Sequence, residues 1–482
     1  MRRMCGVTSS TEATTRGNDL GSGISPSCTR KCNGQVCRTR LDEPVRAILK
    51  RKPRARRRRT PGLRPYLRWL LRSRLPRLAF LTALGPGLIS GFADNDAGGI
   101  TTYSVVGAQF GYDLMWVVLA SMLALAITQE VGARLGLATG QGFGGLIRQQ
   151  YGVPRAAFAI GVMLLANLGD TVAEFAGIGA ALAIFGVPIA LSSALAALAI
   201  LFLLSRANFR RIQFVFLAVG IGTSLAYAIS AILAHPDWGR ALSHTVVPHG
   251  SITTLYLLAV MGTVGTTITP WGQAFIQSYA ADKHLGPKDL PASRIDVAAG
   301  AFLTNLVAGF IVVACAATLW SHGQTAITTA ADAARALGPL AGRFAELLFA
   351  LGLLAASLLG LGTVPLTSAY AVTEAFGWEK GLDRSWRQAP AFYGLLAFFI
   401  GFSALFVLIP GLPLIAVMYL SQVFDGLLLP FILVFVMMMS RDRRLLGRLR
   451  SSLPLYIAGW TVTVLIVLLS VALVVSQLIG AH

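Results

Sequence analysis

The chain has 482 residues, of which 55% are hydrophobic and only 13% charged. Those proportions exclude an ordinary soluble enzyme and point to a polytopic membrane protein. The formal net charge of +20 lies largely before residue 80, so much of it belongs to a basic tail.

Residues 1–75 read as a cytoplasmic tail, and the first 45 or so, rich in Gly, Ser, Thr and Asn, as disordered. The run Arg56 to Arg59 stands just before the first apolar segment, so anionic lipid at the membrane surface is the expected partner and nucleic acid is not. Cys5, Cys28, Cys32 and Cys37 fit no strong zinc spacing, and no long apolar core adjoins the basic run as in a signal peptide.

Eleven apolar segments follow, at 78–110, 113–138, 154–180, 184–204, 211–234, 253–281, 295–320, 341–372, 389–410, 414–438 and 453–479. The even-numbered connections carry most of the Arg and Lys, for example Arg206, Arg210 and Arg211, then Arg441, Arg443 and Arg444. By the positive-inside rule this predicts an N-terminus in the cytoplasm and a C-terminus outside, in a plasma or inner membrane.

The first segment is interrupted. Asp94, Asn95 and Asp96 sit in its middle and are followed by Gly98 and Gly99. Charge at mid-membrane is expensive and usually functional. Glycines there let a helix stop and turn backbone carbonyls to a cavity, which predicts a broken span that binds an ion. The sixth segment carries a second interruption, where Gly262 and Gly265 precede Thr266, Thr267, Thr269 and Pro270. The interruptions lie five spans apart. That is the spacing of two inverted five-span halves, here 76–235 and 250–440, with residues 450–482 as an eleventh span.

Other polar residues fall inside apolar segments: Gln129 and Glu130 in the second, Asn167, Asp170 and Glu174 in the third, Gln422 and Asp425 in the tenth. Gln422 and Asp425 are the best placed to face the breaks. Glu130, Asn167, Asp170 and Glu174 are candidates for a polar or proton route. Cation or proton partners are more natural than anions, because no Lys or Arg lies at the centre of spans one to four. All six histidines fall in or near loops or at the terminus, so none is placed as an intramembrane proton relay. No HExxH, paired CxxC or nucleophile elbow occurs in the spans, so no enzymatic activity or cofactor is expected.

Several stretches resemble the NRAMP family of divalent-metal transporters. Gly85-Pro86-Gly87, followed after eight residues by Asp96-Ala97-Gly98-Gly99, is similar to its first-span pattern. Ala108 to Tyr112, Ala133 to Gly140, Leu351 to Ala356 and Ser421 to Val423 are further likenesses in the family's order. The resemblance implies an all-α fold of eleven transmembrane helices, the LeuT architecture with inverted repeats and broken helices 1 and 6. It implies a metal site on Asp96, with Asp94 as a weaker candidate, together with Gly99, the Thr266 carbonyl, Thr269, Gln422 and Asp425.

The departures from the pattern are as informative. Gly99 stands where the family has a ligating Asn, Thr269 where it has Met, and Trp271 where it has His. Thioether sulfur favours softer metals, whereas oxygen ligands and water suit Mg²⁺ and Mn²⁺. The chain is therefore similar to the NRAMP-related magnesium transporters. The expectation is import of Mg²⁺ and Mn²⁺ as transported substrate, by alternating access without obligatory proton coupling and with no obligate protein partner. The alternatives are a proton-coupled Mn²⁺ or Fe²⁺ importer and a LeuT-like carrier of another small solute.

Overall fold

The computed structural model describes residues 30–32, 35–37, 91, 94–205, 209–382 and 384–480. The chain divides into two units, Met1–Arg74 and Leu75–His482. In the first, β1 (Arg30–Cys32) pairs antiparallel with β2 (Gln35–Cys37), Cys32 opposite Gln35 and Arg30 opposite Cys37. The first 45 or so residues of the tail were expected to be disordered. The missed signal is Asn33-Gly34, the dipeptide that favours a two-residue hairpin connection. The rest of the tail, with Arg56 to Arg59, lies outside the described residues.

The second unit is helical. Its first described helix, α1 (Ala97–Phe110), starts immediately after Asp96. There follow α2 (Met115–Thr139) and α3 (Phe143–Ala183), which bends where Gly152 takes φ 81° and Pro154 restarts the helix. Then come α4 (Ile189–Ser205), α5 (Phe209–Leu233) and the short connecting helix α6 (Trp238–Val246). The sixth apolar segment forms two helices, α7 (Thr254–Thr267) and α8 (Pro270–Asp282). The remainder comprises α9 (Leu290–Thr318), α10 (Ala345–Phe376), α11 (Pro390–Phe406), α12 (Leu414–Met439) and α13 (Leu453–Ile479).

Among the described residues six helices are long and apolar enough to cross a membrane. They are α2, α3, α12, α13 and the stretches 287–322 and 330–376 that contain α9 and α10. Shorter apolar helices are α4, Gly220–Leu233 within α5, and α11. This is an integral membrane protein. The N-terminal half of the first segment falls mostly outside the described residues.

Helix α3 is the hub, packing most extensively on α10 and α12. Small residues permit these approaches. A Cβ at Gly265 on α7 would run into the Gln422 carbonyl and come within 2.6 Å of the Gly426 amide on α12, while one at Gly426 would lie 2.7 Å from the Met261 carbonyl. These two glycines let α7 and α12 touch backbone to backbone. Helix α13 stands apart, with only Gly459, Thr463, Ile466 and Leu473 buried.

Candidate functional site

The site begins with two helix ends that the sequence forces. Asp96 is the N-cap of α1, its Oδ1 accepting from the Gly99 amide at 2.8 Å. Thr269 is the N-cap of α8, accepting from the Gly272 amide at 3.2 Å. Proline at position 270 has no N–H, so the Thr266 carbonyl at the end of α7 loses the amide that would cap it in a continuous helix. The C-terminal end of α7, with its negative dipole and free carbonyls, therefore lies at the break.

The start of α1 and the α7–α8 junction meet. Thr269 Oγ1 donates to Asp94 Oδ1 at 3.4 Å. Gly99 fits between them: a Cβ there would lie 3.1 Å from Thr266 Oγ1, 3.5 Å from Asp96 Oδ1 and only 2.7 Å from the Asp94 carbonyl. A larger residue at 99 would displace backbone. Tyr103 on α1 and Thr267 on α7 share a 2.9 Å hydrogen bond that holds the helices together beside the break.

Helices α3 and α12 close the other side. Gln422 Nε2 donates to Asp170 Oδ1 at 3.0 Å and to Ser421 Oγ at 3.2 Å. Gly98 makes room for Gln422, since a Cβ there would overlap its amide. Asp425 adjoins Asp170, and Glu174 adjoins Asp96 and the Ala97 amide, though neither pair has the geometry of a full hydrogen bond.

Asp94, Asp96, Asp170, Glu174 and Asp425 are all at most 2% exposed, and none of them forms an ion pair among the described residues. Carboxyl or amide oxygens of Asp94, Asp170, Glu174, Gln422 and Asp425, and the Thr266 hydroxyl, lack a protein partner. Buried carboxyl groups without cationic partners are costly unless protonated, hydrated or bound to a cation. Among the described residues no three acidic, His or Cys side chains converge as a ready-made chelate. The donors are mixed: carboxylate, hydroxyl, amide and helix-end carbonyl.

The structure thus brings together Asp94, Asp96, Gly99, Thr266, Thr269, Gln422 and Asp425, with Asp170 and Glu174 alongside. Two sequence candidates stand elsewhere. Asn167 donates to Ser368 Oγ on α10 at 2.7 Å, one turn before Asp170. Glu130, near the far end of α2, is held by Arg134 at 2.7 Å and Arg294 at 2.6 Å; Arg134 also donates to the Leu449 carbonyl at 2.9 Å. Sequence reading missed Asn95, whose Nδ2 donates to Thr304 Oγ1 on α9 at 2.8 Å. Asn95 also borders a small cleft lined by Thr223, Ser224, Tyr227, Val307 and Ile311, which does not reach the carboxylates. Its position inside the Asp94–Asp96 triplet was the available signal. Trp271 is fully buried in an apolar cluster with Leu359 and Val364.

The family described as Natural resistance-associated macrophage protein-like matches residues 87–476. A divalent metal cation transporter MntH of Ralstonia nicotianae is 30% identical over 421 residues, covering 82% of this chain and 91% of its own. Its namesake from Deinococcus radiodurans is 28% identical, covering 81% and 88%. A solved Eremococcus coleocola manganese transporter superposes with a TM-score of 0.69 at 20% identity, over 84% of this chain and 92% of that one. The nucleobase-cation-symport-1 family transporter MHP1 gives 0.53 at 15% identity, over 83% and 91%, which relates the fold to a broader group of helical transporters. On the match across residues 87–476, this chain belongs to the natural resistance-associated macrophage protein-like family.

Proposed function

We propose that the protein is a secondary transporter importing divalent cations, Mg²⁺ together with Mn²⁺, by alternating access without obligatory proton coupling. The observation that carries this reading is the group of buried carboxyls, Asp94 and Asp96 before α1, Asp170 and Glu174 on α3 and Asp425 on α12, with no basic residue paired to them among the described residues and with Thr269, not a thioether, reaching Asp94. Oxygen donors favour Mg²⁺ and Mn²⁺, and Mg²⁺ commonly keeps several waters. The curated relatives are named as divalent metal cation transporters, which supports the substrate class.

In this reading Asp96 and Asp94 supply charge, the Thr266 carbonyl and Thr269 hydroxyl supply neutral oxygens, and Gln422 and Asp425 hold the ion's water shell. The chain crosses the membrane eleven times as two inverted five-span halves and a final helix, N-terminus inside and C-terminus outside. The basic tail faces anionic lipid. The ion enters from outside, rests between the breaks and leaves inward as the broken helices rearrange. A divalent ion gains about 4.6 kcal/mol per 100 mV, twice the single-charge value, so an inside-negative potential suffices for accumulation.

The second reading is proton-coupled import. It is favoured by the close carboxyl approaches of Asp170 to Asp425 and Glu174 to Asp96, which are natural places to share a proton. Against it stands Trp271, apolar and buried where a titratable ring would be needed. Proteoliposomes with an internal pH dye and a clamped potential separate the two. Mg²⁺ or Mn²⁺ entry without matching acidification is expected. A fixed proton-to-metal ratio that disappears in Asp170→Asn or Glu174→Gln establishes coupling.

A further inference from the structure

Three consecutive side chains before α1 reach three different elements. Asp94 Oδ1 accepts from Thr269 at the α7–α8 junction, and Asp96 Oδ1 accepts from the Gly99 amide of its own helix. Asn95, between them, turns to α9. Its Nδ2 donates to Thr304 Oγ1 at 2.8 Å and lies 3.5 Å from the Thr304 carbonyl. Its Oδ1 has no protein partner, so the amide is held through Nδ2 alone. Both residues are buried, Asn95 at 8% exposure and Thr304 at 3%. A hydrogen bond shielded from water in this way fixes a direction as well as a distance.

Helix α9 follows the first segment on both sides of this bond. One turn before Thr304, Gly300 meets Gly91: a Cβ at 91 would lie 2.7 Å from the Gly300 carbonyl and 3.1 Å from its Cα. Gly300 and Thr304 are four residues apart and so share a face of α9. Further along, a Cβ at Gly107 on α1 would lie 2.5 Å from the Val312 carbonyl and 2.8 Å from Cys315 Cβ. Helix α9 is continuous from Leu290 to Thr318, whereas residues 94–96 beside it are not helical. The Asn95–Thr304 bond ties that non-helical stretch to a continuous neighbour.

We infer that Asn95 and Thr304 are positioning residues for the ion site, with α9 as a splint beside the interruption: their bond sets the direction in which Asp94 and Asp96 present their carboxyl groups. The inference rests on the transport reading and deepens it. Neither residue touches the ion. Asn95 is joined by peptide bonds to both aspartates, so releasing its side chain lets the backbone turn and carries both carboxyls with it. Contacts that the ion keeps throughout its passage then weaken together, and the loss falls on apparent affinity rather than on turnover.

The test is Mn²⁺ uptake into proteoliposomes holding equal amounts of folded protein, with KM and maximal rate read separately. Asn95→Ala and Thr304→Val, the second nearly isosteric, should each raise KM about tenfold, the worth of one lost hydrogen bond, and leave the maximal rate within about twofold. Thr304→Ser keeps the hydroxyl and should keep the KM. The double variant Asn95→Ala/Thr304→Val should be no worse than either single one, because both remove the same bond. Arg134→Gln, remote from the site, is the control for general loosening. It should lower the melting temperature and leave KM unchanged. An unchanged KM in folded Thr304→Val, a double variant showing the product of the two single effects, an equal loss in Thr304→Ser, or an equal rise of KM in Arg134→Gln overturns the inference and leaves the transport reading in place. Absence of saturable Mn²⁺ uptake by the unsubstituted protein overturns that reading and the inference with it.

Discussion

Thr269 has two roles, and they separate experimentally. Its hydroxyl caps α8 at the Gly272 amide and also reaches Asp94. In Thr269→Met the cap is lost, which costs about 1 kcal/mol of stability. The thioether meanwhile shifts selectivity toward Mn²⁺ over Mg²⁺, by on the order of tenfold, or about 1.4 kcal/mol. Competition between the two ions for uptake, measured beside a melting curve, reads both effects; an unchanged preference removes residue 269 from the site. Gly98→Ala tests the opposite wall. The added methyl overlaps the Gln422 amide, a movable side-chain end, so the protein should fold while Gln422 leaves Asp170 and uptake slows. Uptake at the unsubstituted rate would show that the Gln422–Asp170 bond is dispensable. His244 on α6 belongs to this scale as well. Burial first, and the neighbouring His249 second, hold His244 below the usual histidine pKa. The ring is covered by its neighbours yet lies near the surface, so this shift adds little to stability.

Two element-scale contacts hold the frame around the breaks. Gly265 and Gly426 bring α7 and α12 to backbone contact, where no side chain can yield. Gly265→Val should lower stability by about 1–3 kcal/mol or prevent folding, seen as a lower melting temperature in detergent. At the other end, Arg134 ties α2 to the Leu449 carbonyl before α13 while pairing with Glu130. Arg134→Gln should cost about 2 kcal/mol. That is less than for a fully buried pair, because Glu130 is 21% exposed and keeps Arg294. A melting point equal to the unsubstituted protein's would show the tie to be ornamental. The interruption between α7 and α8 was legible in the sequence, because glycine and proline within an apolar run have few other meanings. What it would touch was less so. Helical spacing places Asp170 and Glu174 on one face, but only the packing of α3 on α12 brings Asp170 to Gln422. Glu130 pairs with Arg134 one turn on, which helical spacing shows, and with Arg294, which lies far along the chain. Asn95 pairs with Thr304 across an even larger separation that no local pattern encodes.

Across the whole molecule, charge is sorted by chemistry. Basic residues pair with acids toward the ends of helices, as at Glu130 and Glu374, while among the described residues Asp94, Asp96, Asp170, Glu174 and Asp425 have no cationic side chain paired to them. The apolar segments were readable from composition alone, since a bilayer demands long runs whatever the fold. The approach of the start of α1 to the α7–α8 junction, at Thr269 and Asp94, joins residues 175 positions apart, which no local pattern encodes. The pairing of Arg30–Cys32 with Gln35–Cys37 was missed because three-residue strands carry almost no periodic signal, so the Asn33-Gly34 dipeptide was the one cue. The central claim is that a divalent cation crosses by way of Asp96. The direct measurement is Mn²⁺ and Mg²⁺ uptake into proteoliposomes holding equal amounts of folded unsubstituted protein and Asp96→Asn, which keeps the side chain's size and removes its charge. Saturable uptake of both ions by the unsubstituted protein, with mutual competition, and its near-complete loss in Asp96→Asn are expected. Uptake by folded Asp96→Asn at the unsubstituted rate, or no uptake of either ion by the unsubstituted protein, would contradict the claim.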